Sequence, residues 1–159
     1  MQRAKILEQV IDSGLVSVVR ADSADQAIKI VEAVIAGGVK SIELTYSVPR
    51  ANEVIADLLA KYQDRDIIIG AGTVLDPSSA RLAIIAGAKF IVSPSFSKEV
   101  AKLCNLYQVP YIPGVLTAKE AQTALEYGSE LIKLFPGDIA GPAMIKDPFH
   151  ILTSSLQVA

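Results

Sequence analysis

Charged side chains interrupt two otherwise apolar segments of this sequence, and together they could do chemistry. Glu43 lies within SIELTY (41–46), and Lys133 lies within LIKLFP (131–136). An amine must lose its proton before it attacks a carbonyl carbon, and burial favours the neutral form of a lysine. A nearby carboxylate can carry protons while a Schiff base forms and a carbon–carbon bond breaks. The two residues could equally form a buried ion pair without catalysis, and their spacing does not decide between these interpretations.

Apolar segments typical of buried strands recur along the chain and alternate with segments of helical periodicity. Strict alternation with short connections predicts an α/β fold with a parallel sheet. Two shapes satisfy that pattern, an open doubly wound sheet and a (β/α)8 barrel. No GxGxxG motif follows the first strand, which disfavours a dinucleotide-binding site. The six predicted strands are 15–20, 41–46, 67–74, 90–94, 111–115 and 131–136.

The ends of the predicted helices carry their own signals. Ser23 with Gln26 and Thr117 with Glu120 predict capping boxes, in which two side chains satisfy backbone groups at a helix start. A glycine follows several helices and is itself followed by a strand, which predicts a left-handed residue at each helix end. Those glycines lie in AGGVK (36–40), AGAKF (86–90) and YGSEL (127–131), and Asp76 before Pro77 predicts a further N-cap.

Polar residues cluster where the predicted strands end. In a barrel the active site lies at the carboxyl ends of the strands, so these side chains could share one inward face. Side-chain alternation along a strand also places Phe135 on the same face as Lys133. The residues at or near the strand ends are Arg20, Glu43, Thr45, Thr73 and Lys133.

The composition favours a single domain with a small-molecule function. The 159 residues are 51% hydrophobic and 20% charged, which suits a sheet covered on both faces, and the net charge of −2 gives no nucleic-acid footprint. No apolar run reaches the length of a membrane span, and MQRAKILEQV lacks the apolar core of a signal peptide. The lone Cys104 is expected to be a buried thiol in a reducing, cytoplasmic environment. No Cys/His cluster indicates a metal site.

Several segments, in order and at characteristic intervals, resemble one family over roughly residues 4–150. The chain is similar to the aldolases that cleave 2-keto-3-deoxy-6-phosphogluconate or 4-hydroxy-2-oxoglutarate. KLFP and GAGTV are the most specific parts of the resemblance. The segments are AGGVKSIELT (36–45), GAGTVLDP (70–77), GAKFIVSP (87–94), PYIPGVLT (110–117) and YGSELIKLFPG (127–137).

The resemblance implies a (β/α)8 barrel, usually a homotrimer, that cleaves a keto acid to pyruvate and an aldehyde. Lys133 matches the Schiff-base lysine of the family, and Glu43 matches its general acid/base. Thr73 matches a residue that contacts the pyruvate carboxylate, while Pro94 and Phe135 match apolar walls of the pocket. No metal or organic cofactor is implied, because the lysine imine is itself the electron sink.

The sequence departs from the family pattern at the carboxylate-binding position. Many members carry an arginine four residues after the glutamate, where this chain has Ser47. Arg20 is the candidate replacement, because a guanidinium can bind a carboxylate through two hydrogen bonds. Thr45 lies on the same face of its strand as Glu43, and we predict that it binds substrate together with Arg20. Arg50 follows Pro49 and is expected to be a solvated loop residue.

The second departure lies near the end of the sequence. Ser154 and Ser155, in LTSS (152–155), replace two glycines of the family's phosphate loop, and His150 is expected to be a surface residue. A barrel of this kind needs at least about 200 residues. The sequence therefore predicts one incomplete barrel over residues 1–159, with six clear βα units, a weakly marked seventh strand and no eighth.

An incomplete barrel leaves a strand edge and apolar surface uncovered. We therefore expect self-association in preference to a monomer, and weak activity that favours the unphosphorylated substrate. Two alternatives stay open from the sequence. One is a catalytically impaired or inactive fragment of the family, and the other is a different phosphate-binding barrel enzyme.

Overall fold

The computed structural model describes residues 2–141, Met144 and Gln157–Val158, and this part of the chain alternates strands with helices. The strands are β1 (Val16–Val19), β2 (Ser41–Thr45), β3 (Ile68–Gly72), β4 (Ile91–Ser93), β5 (Tyr111–Val115), β6 (Leu131–Leu134) and β7 (Gln157–Val158). The helices are α1 (Gln2–Ser13), α2 (Ala24–Ala36), α3 (Ala51–Lys61), α4 (Pro77–Ile85), α5 (Lys98–Tyr107), α6 (Ala118–Glu126) and α7 (Gly137–Ala140).

All seven strands are parallel neighbours in sequence order, from β1 to β7. A doubly wound sheet would reverse its order at a switch point, so the sequential order excludes that alternative. The six predicted strands are confirmed. The segment 152–155, predicted to carry a seventh strand, lies outside the described residues, as do His150, Ser154 and Ser155. The two-residue β7 instead pairs Gln157 with Leu131 of β6.

The sheet curls, because residues four strands apart meet on its inner face. In a flat sheet the strands β2 and β6 would be about 19 Å apart, at roughly 4.8 Å per strand. Yet Lys133 Nζ of β6 lies 3.7 Å from Glu43 Oε2 of β2. The described strands therefore wrap around a common interior, as part of a barrel does.

Two apolar layers cover the faces of this curled sheet. Between the strands and the outer helices, Ile42, Leu44 and Ile69 pack in one large cluster with the buried sides of α2 and α3. Cys104 belongs to that layer, as predicted, and burial raises the pKa of its thiol to about 12. None of the helices in the described part is long and apolar enough to cross a membrane.

The inner layer is closed at the amino ends of the strands by α1. Apolar residues of α1, among them Ile6 and Val10, pack against Ile68, Phe90 and Leu131 around the lower interior. The Arg3 side chain fixes α1 in this position through hydrogen bonds to three other residues. Its Nε donates to Glu130 Oε2 at 3.0 Å, its Nη1 donates to Asn105 Oδ1 at 2.6 Å, and its Nη2 donates to the Gly128 carbonyl.

Most of the predicted helix boundaries are confirmed. Thr117 and Glu120 form the reciprocal capping box at the start of α6. Ser23 accepts from the Gln26 backbone N–H, but the Gln26 side chain accepts from Asp22 N–H and not from Ser23, so that box is only half formed. Asp76 caps α4, and the glycines after α2, α4 and α6 are left-handed, with φ of 95° at Gly38, 99° at Gly87 and 81° at Gly128.

Candidate active site

Glu43 occupies a slot that the backbone of the neighbouring strand leaves open. All five residues of β2 are buried, and Glu43 points to the inner face, where its register partner on β3 is Gly70. A Cβ added at Gly72, two residues further along β3, would lie 2.1 Å from Glu43 Oε1. The carboxylate can therefore keep this position only because residue 72 has no side chain.

Lys133 approaches the same slot from β6. Its register partner on β5 is Gly114, so no side chain on that neighbour competes for the space above the lysine. Lys133 Nζ lies 3.7 Å from Glu43 Oε2 and 5.2 Å from the centroid of the Phe135 ring. The exposed fractions of the two charged side chains are 25% for Lys133 and 4% for Glu43. The amine is thus open to a small ligand, whereas the carboxylate is reached only through the interior.

Burial raises the pKa of Glu43 above its ordinary value. The charges of Lys133 and Arg20 oppose this shift without cancelling it. A raised pKa makes a carboxyl easier to protonate, which suits proton transfer. The role of Glu43 as general acid/base stays a prediction.

An apolar cavity of about 280 Å³ opens beside this pair, close to the lower end of the usual range for small-molecule sites. Glu43 and Lys133 are the two charged residues that line it, which concentrates polar chemistry at one place. The other lining residues are Val16, Val18, Phe90, Val92, Ile112, Leu134, Phe135 and Gly137. Among the described residues, no group of three or more His, Cys, Asp or Glu side chains is placed to hold a metal ion.

The remaining predicted site residues surround the cavity without lining it. Thr73 follows β3 and is exposed, and Pro94 follows β4 and is half-buried. The Pro94 carbonyl lies against Gly114, where a Cβ would come within 2.0 Å of it. The loop that carries Pro94 is thus seated directly beside the register partner of Lys133. Binding roles for Thr73 and Pro94 stay predictions.

Arg20 lies at the rim, one residue beyond β1. Its place in the alternation matches Val16 and Val18, which line the cavity, and its charge is close enough to lower the pKa of Glu43. The Thr45 hydroxyl makes a contact between strands, because it donates to the Val19 carbonyl at 3.0 Å. It also lies 2.8 Å from the hydroxyl of Ser47. Thr45 therefore ties β2 to the end of the strand that carries Arg20, and its role in substrate binding stays a prediction.

Arg50 belongs to the surface loop before α3. It adopts a left-handed conformation with φ of 58°, and its Nη1 lies 3.4 Å from Oε2 of the exposed Glu53. This placement agrees with the expectation of a solvated loop residue.

Sequence reasoning missed the two glycines that make room for the site, Gly72 and Gly114. Glycine within a strand often marks a close approach of another group, so GAG and IPG contained a usable signal. The sequence does not show which groups approach them. In the structure these are the Glu43 side chain at Gly72 and the Pro94 carbonyl at Gly114.

Fold and site together define a curled parallel α/β protein with a lysine–carboxylate pair at an apolar cavity. The chain belongs to the KDPG and KHG aldolase family, whose sequence model matches residues 6–153. It is 37% identical over 127 residues to the 2-dehydro-3-deoxy-phosphogluconate aldolase of Treponema pallidum (strain Nichols), covering 80% of this chain and 60% of that protein. It is 35% identical over 144 residues to the 2-dehydro-3-deoxy-6-phosphogalactonate aldolase of Escherichia coli (strain K12), covering 91% and 70%.

Solved structures of aldolases match the fold as well. A native KDPGal structure has a TM-score of 0.83 at 34% identity, covering 90% of this chain and 69% of that one. A KDPG aldolase from Legionella pneumophila, with pyruvate captured as a covalent carbinolamine, has a TM-score of 0.82 at 28% identity, covering 91% and 69%. The chain thus spans only 60% to 70% of the length of these two curated relatives.

The raised pKa of Glu43 predicts a specific dependence of stability on pH. A carboxyl whose pKa is higher in the folded state contributes stability that is fully present below its ordinary pKa, 4.5, and is lost as pH rises through the folded pKa. Glu43→Gln removes this titration. The free energy of unfolding of the variant, measured by urea denaturation, should therefore gain on that of the wild type as pH rises above about 4.5.

Glu53→Gln is the matched control, because Glu53 is an exposed carboxylate in a surface ion pair. Its difference from the wild type should change little over the same pH range. If the advantage of Glu43→Gln shrinks as pH rises, the attraction of Lys133 outweighs burial and the assigned cause of the shift is wrong.

Proposed function

We propose that this chain acts as a class I aldolase that cleaves a 2-keto-4-hydroxy acid to pyruvate and an aldehyde. The observation that carries the proposal is the 3.7 Å approach of Lys133 Nζ to Glu43 Oε2 at the mouth of an apolar cavity. Membership in the KDPG and KHG aldolase family supports it. We also propose that the described strands are the first part of a (β/α)8 barrel arrangement.

The reaction follows from the positions of the two groups. Glu43 accepts a proton from the Lys133 ammonium, and the neutral amine attacks C2 of the keto acid to form a carbinolamine. Glu43 returns that proton to the carbinolamine hydroxyl, which leaves as water and gives the iminium. The Glu43 carboxylate then accepts the proton of the C4 hydroxyl, the C3–C4 bond breaks, and its electron pair moves into the iminium to give an enamine and the free aldehyde. Glu43 gives this proton to C3 of the enamine, and attack of water on the resulting iminium releases pyruvate and restores the amine.

The apolar lining supports this chemistry. In a site with little water, the iminium charge stays close to Glu43 and is not screened by solvent. The Phe135 ring, 5.2 Å from the amine, presents a π face that favours a cationic nitrogen. We assign Thr73 and Arg20 to the substrate carboxylate, with Thr45 supporting Arg20, and Pro94 and Phe135 to the apolar walls.

Substrate choice and assembly are further proposals. Ser154 and Ser155, outside the described residues, replace glycines that would let a phosphate approach the backbone, which favours 4-hydroxy-2-oxoglutarate over a phosphorylated substrate. Exposed apolar residues on α4 and α5 (Leu82, Ile85, Leu106 and Tyr107) support a homotrimer. A similar chain occurs in a cage designed by fusing symmetric oligomeric domains. The cytoplasmic location expected from the lone cysteine stays a prediction.

Trapping of an imine tests the proposed function directly. Borohydride reduction in the presence of pyruvate should add one reduced pyruvate group, located at Lys133 by peptide mass spectrometry. Lys133→Ala should abolish the adduct. Lys40→Ala should leave it intact, because Lys40 is exposed and paired with Asp66 on the surface. An adduct on another lysine, or none on the folded wild type, would favour an inactive member or a different barrel enzyme.

The choice of carboxylate-binding residue gives a second test. Arg20→Ala should weaken binding of pyruvate by about 1.5–3 kcal/mol, the usual scale for a lost charged hydrogen bond. Arg50→Ala should have little effect, because Arg50 is engaged with Glu53 at the surface. The pyruvate concentration that gives half-maximal trapping measures both variants, and the reverse order of effects would show that the wrong arginine was chosen.

A further inference from the structure

A buried hydrogen-bond network lies beneath the two loops that carry Thr73 and Pro94. The Tyr111 phenol, on the helix-facing side of β5, is its centre. Tyr111 Oη accepts from the Ser97 backbone N–H at 3.0 Å and donates to the Ser95 carbonyl at 3.2 Å. One side chain thus holds two points of the β4–α5 loop, immediately after Pro94.

A separate hydrogen bond, made by the neighbouring residue Ser93, reaches the loop that carries Thr73. Ser93, a buried residue at the end of β4, donates its hydroxyl to the Val74 carbonyl at 2.5 Å. The Val74 N–H in turn donates to the Val92 carbonyl at 2.9 Å. Burial raises the pKa of Tyr111, while the hydrogen bond from Ser97 N–H opposes the shift. The phenol is therefore protonated at neutral pH and fixes the loop that follows β4, whereas Ser93 ties the end of β4 to the loop that carries Thr73.

Close packing seats the loop that carries Pro94 against β5, the strand beside Lys133. The Pro94 carbonyl lies against Gly114, and Gly114 is the register partner of Lys133. Phe96 packs beneath the same loop, with its ring centroid 6.4 Å from that of Tyr111. A Cβ at residue 114 would lie 2.0 Å from the Pro94 carbonyl oxygen, so the loop can pack this closely on β5 only because residue 114 is glycine.

We infer that Tyr111 and Ser93 are positioning residues that set Thr73 and Pro94 at a fixed separation, and so define the part of the site that receives the pyruvate moiety. The inference rests on the proposed function, because that separation matters only if pyruvate binds between the two loops. Among the described residues, neither side chain lines the cavity, and the hydrogen bonds of both go to the loops and not to Lys133 or Glu43. Their effect should therefore fall on binding and not on the chemical step.

Tyr111→Phe tests this division in the full chain. It keeps the ring and removes both hydrogen bonds of the phenol. The pyruvate concentration for half-maximal borohydride trapping should rise about tenfold, the scale of one or two lost hydrogen bonds. The trapping rate at saturating pyruvate should change less than about twofold, because Lys133 and Glu43 are held by the strands. Ser93→Ala should shift the half-saturating concentration in the same direction.

Tyr127→Phe is the matched control. Tyr127 packs against the same Phe96 ring at 5.5 Å, but its hydroxyl interacts with the exposed Lys98 and not with the two loops. Its half-saturating concentration should stay within about twofold of the wild type. The double variant Tyr111→Phe/Ser93→Ala should show less than the product of the two single effects, because both side chains hold the same segment, residues 93–97.

Amide hydrogen exchange supplies a readout that does not depend on activity. Peptides covering residues 93–98 should exchange faster in Tyr111→Phe, those covering residues 73–76 should exchange faster in Ser93→Ala, and both should remain unchanged in Tyr127→Phe. Unchanged exchange, or unchanged half-saturation in a folded Tyr111→Phe, overturns the inference, as does a loss confined to the saturated rate. If the wild type forms no adduct, the proposed function is wrong. Amide hydrogen exchange then tests by itself whether Tyr111 and Ser93 hold the two loops. If Tyr111→Phe does not fold, Ser93→Ala provides the same comparison.

Discussion

Two charged side chains meet across the inside of a parallel sheet, and the curl that lets them meet is the constraint on which the site depends. Glu43 and Lys133 are four strands apart in the sheet order, and a flat sheet would separate them by about 19 Å. Their approach to 3.7 Å requires the strands to curl around a shared interior. Ion pairs in such places are poor sources of stability, because desolvation offsets much of the attraction. The apolar layers must therefore stabilise the curl. The same apolar surroundings raise the pKa of Glu43.

The interior is divided between stability and chemistry along the strand direction. At the amino ends, α1 packs its apolar side against Ile68, Phe90 and Leu131, and Arg3 fastens it to the ends of the neighbouring elements. At the carboxyl ends lie the lysine, the carboxylate and the loops. Arg20, Thr73 and Pro94 all follow strands directly, so rigid elements fix where each loop begins. This separation explains how short loops can be specialised without disturbing the packed lower interior.

Much of this arrangement could be predicted from the sequence, because the signals were local. Apolar runs and helical periodicity gave the six strands, and the Thr117–Glu120 capping box was predicted correctly. Contacts between distant elements were not predictable in this way. Strand parity put Lys133 and Phe135 on one face, but only the curl of the sheet showed that Glu43 lies opposite. Likewise, nothing in SIELTY indicated that the Thr45 hydroxyl would be engaged by the Val19 carbonyl.

The slot at Gly72 has a consequence for how this protein can evolve. Every amino-acid replacement at residue 72 adds a Cβ, and an added Cβ would lie 2.1 Å from the Glu43 carboxylate. Residue 72 is therefore constrained by a neighbour's side chain, although glycine itself offers no functional group. A larger residue fits there only if the glutamate is shortened or moves away. A search for variants with altered chemistry would therefore have to change positions 43 and 72 together.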